Sequence, residues 1–131
     1  MYLFINTSQP EADIGLLDDK AIFIDRIKWQ AGHNQSDELL QRIDSLLKLN
    51  GVKKTDLSGI LMVKGPGSYT GLRVGIASGN ALALALGIGA VGIAGEETGD
   101  LAQIISRFED LSNDFVRPFY ANSPHITKPK L

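Results

Sequence analysis

An α/β fold, with helices packed on a mixed five-stranded sheet, is predicted by three observations. Short apolar runs rich in β-branched residues recur along the chain, each closed by polar or glycine-rich punctuation, as buried strands require. Three of these runs come first and are closely spaced, which reads as a meander. A fourth run passes through a glycine turn straight into a long apolar helix, and a fifth follows that helix.

The chain has 131 residues, enough for one domain or one large lobe with a modest core. Hydrophobic residues make up 44% and charged residues 21%, ordinary proportions for a globular protein in water. The net charge of −2 supplies no basic field that would draw the molecule onto nucleic acid. Cysteine is absent, which excludes disulfides, Cys-ligated zinc and thiol catalysis, and suits a cytoplasmic protein. No basic flank followed by a long apolar core opens the sequence, so a secretory signal is not expected.

Tyr2-Leu3-Phe4-Ile5 reads as a buried strand ended by Asn6-Thr7-Ser8 and Pro10. Ala12 to Leu17 and Ala21 to Lys28 read as two more, joined through Asp18-Asp19-Lys20. A polar connection containing His33 leads to a helix capped by Asn34 or Ser36, with Asp37 and Glu38 in its first turn. Leu39, Leu40, Ile43, Leu46, Leu47 and Leu49 follow helical spacing until Asn50-Gly51 stops them. So many large apolar residues exceed a narrow stripe, and a partner could cover the excess.

Ile60 to Val63 is the fourth strand, and Lys64-Gly65-Pro66-Gly67-Ser68-Tyr69 is a turn. A helix from Thr70, its expected N-cap, runs to Leu86. Strand, glycine turn and helix N-terminus together form an anion-binding arrangement. The order Gly-x-x-x-x-Gly-Lys-Ser/Thr is nevertheless missing, because Lys64 precedes the glycines. A dinucleotide fingerprint fails as well: Gly71 is one place late and no acid lies between Arg73 and Glu96.

Gly71, Gly75, Gly79, Ala83 and Gly87 recur at every fourth residue, one slowly drifting helical stripe. Each helical glycine costs roughly 1 kcal/mol against alanine, so another backbone is expected to come close. The helix is apolar nearly all round, which places a sheet on one side and a second chain on another. A membrane span is not expected, because Gly87-Ile88-Gly89 breaks the uncharged segment and Ala90 to Ile93 looks like a strand. Leu101, Ile104, Ile105 and Phe108 then mark an amphipathic helix, and Phe115 to Tyr120 reads as a last edge strand or docking segment.

Gly65-Pro66-Gly67-Ser68-Tyr69-Thr70-Gly71-Leu72-Arg73-Val74-Gly75, with Leu86-Gly87-Ile88 and Val91-Gly92-Ile93 after it, resembles the signature of the TsaB (YeaZ) family. The resemblance implies an actin-like, ribonuclease-H-like lobe, here over residues 1–110, and a tail over 111–131 similar to the family's end. The second lobe that normally lies between them is missing, with Asp110 to Asp114 as the join. The resemblance also implies a non-catalytic subunit that binds TsaD in making threonylcarbamoyladenosine in tRNA. Such a subunit touches tRNA only through the complex, forms a homodimer when alone and can meet a TsaE-like ATPase.

The implied interface is carried by the two helices, at Leu40, Ile43, Leu47, Leu72, Gly75, Gly79 and Ala83. Two alternatives are an ATP-binding enzyme of the same superfamily and a homodimerising module without the tRNA role. ATP or ADP, if bound at a partner interface, would meet Asn6, Thr7, Gly65, Gly67, Ser68 and Thr70. Relatives show Asp-Thr-Ser where this chain has Asn6-Thr7-Ser8, and asparagine can neither hold a cation nor act as a base as aspartate does. TsaD carries His-x-x-x-His near the place of Gly95-Glu96-Glu97-Thr98-Gly99, which has no histidine. His33 and His125 have no neighbours at ligand spacing, so no metal and no obligatory cofactor is expected.

Overall fold

The computed structural model describes residues 1–67, 69–112 and 116–118. The five strands are β1 (Tyr2–Asn6), β2 (Glu11–Leu17), β3 (Phe23–Gln30), β4 (Gly59–Gly65) and β5 (Gly89–Ala94), in the sheet order β3-β2-β1-β4-β5. The β1–β2 and β2–β3 pairs are antiparallel, and β1–β4 and β4–β5 are parallel, so the sheet is mixed as the sequence predicts. The helices are α1 (Gln35–Leu49), α2 (Tyr69–Leu86), α3 (Leu101–Ser106) and α4 (Phe108–Leu111).

Strand alternation divides the core into two layers. Leu3, Ile5, Ile60 and Met62 face α1 and α2, where Leu39, Ile43, Leu46, Leu72 and Ile76 meet them. Phe4, Leu61, Val63, Val91 and Ile93 face the other way, against Leu101, Ile104, Ile105 and Phe108. Gly59 is required beneath Phe108, whose ring fills the space a Cβ would take.

Several details differ from expectation. The third strand starts at Phe23 rather than Ala21 because the hairpin turn reaches further than three residues. Asp18 Oδ1 accepts the N–H groups of Lys20 and Ile22, and the Asp18 N–H donates to the Ile22 carbonyl. Asn34 does occupy the N-cap of α1, yet its side chain makes no capping bond. The final helix is two short ones, broken at Arg107, and Val116–Pro118 form no strand. The rest of the expected last strand, and the tail after it, lie outside the described residues. No helix among the described residues is long and apolar enough to cross a membrane.

Candidate functional site

β1 and β4 run side by side, with Ile5 opposite Met62, so Asn6 and Gly65 end neighbouring strands. Asn6 closes its strand on itself: its Oδ1 accepts the Ser8 N–H at 3.0 Å and the Ser8 hydroxyl at 2.6 Å. That bonding occupies the oxygen that a bound group would address. The glycine turn rests on the same residue. A Cβ at Gly67 would overlap the Ser8 backbone, and Gly65 has φ of 129°, a conformation that only glycine adopts readily. Packing on Ser8 therefore accounts for Gly67 without a phosphate.

Thr7 points the other way, as strand alternation demands. It is buried, and its hydroxyl donates to the Gly71 carbonyl at 2.6 Å, tying the first turn of α2 to the end of β1. Thr70 is exposed within that first turn; the helix begins one residue earlier, at Tyr69, so Thr70 is not the N-cap. It opens on a groove shared with His33 and Asn34 at the start of α1. Of the six residues expected to share a nucleotide, Asn6, Gly65 and Gly67 stand together at the strand ends. Thr7 and Thr70 lie on the helix side, and Ser68 is outside the described residues. Among the described residues no three acidic or histidine side chains gather as a metal would need.

The expected helical face is largely inside the chain. Ile43, Leu47, Leu72 and Ala83 are all buried in the protein's own core. Gly75 lies against Thr7 and Gly79 against Met62, close enough that a Cβ would overlap either side chain. The glycine stripe therefore admits the sheet, and its close approach is satisfied within one chain. Of the seven expected interface residues Leu40 alone is exposed, at 47%.

The solvent side of α2 is a second small-residue row, Ala77, Ala81 and Ala85, with Leu84 exposed at 70% beside it. Its signal was present in the sequence. Residues 77 and 79 are about 200° apart around a helix, so the alanine row lies nearly opposite the glycine row. On α1, Lys48 bonds Asp44 at 2.8 Å; this holds the Asp44 carboxyl below its ordinary value and raises the Lys48 ammonium.

Comparison with known proteins adds to this geometry. Residues 29–97 match the family described as "TsaD: tRNA N6-adenosine threonylcarbamoyltransferase". The chain is 34% identical over 96 residues to the tRNA threonylcarbamoyladenosine biosynthesis protein TsaB of Bacillus subtilis, covering 73% of this chain and 42% of that protein. It is 28% identical over 91 residues to TsaB of Escherichia coli, covering 70% of this chain and 38% of that protein. The structure of YeaZ from Pseudomonas aeruginosa superposes with a TM-score of 0.64 at 25% identity, over 71% of this chain and 43% of that one. The chain thus spans less than half the length of these relatives. Its five-stranded sheet and actin-like, ribonuclease-H-like lobe are theirs. By this shared fold and the 34% identity over most of its length, the chain belongs to the TsaB/YeaZ family.

Proposed function

We propose that the chain is a non-catalytic TsaB-like subunit that binds a TsaD-like protein and supports it in forming threonylcarbamoyladenosine in tRNA. The observation that carries this reading is the exposed side of α2. No charged residue occurs from Val74 to Leu86, yet Ala77, Ala81, Leu84 and Ala85 all face solvent. A row of alanines lets another helix approach closely, and Leu84 and Leu40 supply apolar area around it. Relatives named for threonylcarbamoyladenosine biosynthesis support the pathway. The tRNA is reached through the complex, since the net charge of −2 gives the chain no attraction of its own. A homodimer through the same face would be the resting state of the free chain.

Co-purification of the tagged chain from its host is the test. The native sequence should bring down a TsaD-like protein, and the double variant Leu40→Glu/Leu84→Glu should not, while melting unchanged. A double variant that still retains the partner would move the interface off α1 and α2. Light scattering on the pure chain separates a homodimer from a monomer.

A further inference from the structure

A cavity of about 240 Å³ lies where the β1–β2 turn, the end of β3 and the first turns of α1 and α2 converge. It is on the helix side of the sheet, away from Asn6. Its floor is buried: Thr7, Ala12, Trp29 and Leu39. Its rim is open to solvent, with Gln9 and Gln35 on it beside Ala31 and Val74. No charged side chain is among the described lining residues. Neither glutamine side chain is hydrogen-bonded to another described residue, and the Thr7 hydroxyl already donates its hydrogen bond to the Gly71 carbonyl.

We infer that this cavity is a binding site for a small uncharged ring compound carrying a carboxamide-like edge. Three features set that chemistry. The volume falls below the roughly 300 Å³ at which pockets for larger ligands begin, so a single ring is the matching size. The Trp29 and Leu39 wall favours an apolar, preferably aromatic body. The two glutamine amides offer both donors and acceptors. Arg42 lies over the Trp29 ring but pairs with Glu38 and is not among the described lining residues, so a charged ligand would be desolvated without a dedicated counter-ion. The inference is independent of the partner proposed above, because the cavity does not use Leu40, Leu84 or the alanine row.

Benzamide and benzoate, nearly identical in shape, separate the neutral from the charged form. The chain has one tryptophan, so a single indole N–H resonance reports on the site. Benzamide should shift that resonance saturably, with a dissociation constant of about 1 mM, ordinary for so few atoms. Benzoate should bind about tenfold more weakly. Ala31→Phe, at the rim, should fill the cavity and remove the shift; Val74→Phe does the same from the α2 wall if the first variant fails to fold. Gln9→Leu/Gln35→Leu should erase the preference for benzamide. A flat titration, equal binding of the two compounds, or an undiminished shift in a folded filling variant would overturn the assignment.

Discussion

Gly75 and Thr7 claim the same small volume from opposite sides, which makes residue-scale packing sharp here. Thr7 is held by its bond to the Gly71 carbonyl and cannot swing away from an added methyl. Gly75→Ala should therefore cost about 1–3 kcal/mol in urea denaturation. Gly79→Ala should cost less, because the Met62 thioether it meets is flexible. Thr7→Ala combined with Gly75→Ala should cost less than the sum of the two, since the first opens room for the second.

Tyr2 gives a pH-dependent counterpart. Burial first, and then the Asp19 and Glu109 carboxylates, push its phenol above the ordinary value of 10.0. The folded chain thus keeps the proton that the unfolded chain releases first. Its contribution is whole below that ordinary value and is lost as pH rises through the folded one. The stability difference between native and Tyr2→Phe should stay flat through neutral pH and move toward the variant in alkali. Melts of both proteins across alkaline pH measure it.

Among the elements, Asn80 acts as a clip. Its amide nitrogen donates to the Val116 carbonyl at 2.9 Å and its oxygen accepts the Val116 N–H at 3.1 Å, as a neighbouring backbone would. Asn80→Ala should lose both bonds and expose the Val116 amide to exchange. Asn80→Asp should be worse at neutral pH than in acid, because it sets a carboxylate against a carbonyl oxygen. Hydrogen exchange at Val116 reads both outcomes.

Strand existence was legible in the sequence because apolar period and punctuation agreed, as in Ile60 to Val63. The clip was not, since nothing local links Asn80 to a residue so far along the chain. The facing of α2 was ambiguous for another reason. Glycine spacing signals close approach equally well to a sheet or to a helix, and only the position of Met62 and Thr7 decides.

For the whole molecule, the uncharged row of α2 sets how association should respond to solvent. If that row carries the contact, binding of a TsaD-like protein should weaken little near 1 M salt, where the Debye length is about 3 Å. A steep loss of affinity with salt, read by calorimetry, would place charged residues at the contact instead. On the edge strand β3, Lys28 is exposed and discourages strand addition, while Arg26 is turned onto Asp13 and the Phe23 ring. The strand-end site is half legible: the sequence marks Asn6, Gly65 and Gly67, whereas the inward turn of Thr7 follows from strand alternation and not from any motif.

The clip also governs how much chain the fold can carry at one point. Ser112 sits against Gly89 on the layer of α4, and Val116 is moored to α2 on the opposite layer. The two moorings are four residues apart in sequence and hold opposite layers. Loop closure grows only with the logarithm of length, about 0.6 kcal/mol per doubling. Each doubling of the chain between Ser112 and Val116 should then cost about 0.6 kcal/mol, read as a small fall in urea midpoint. With Ser112 and Val116 each fixed to its own layer, added chain between them costs its closure entropy alone.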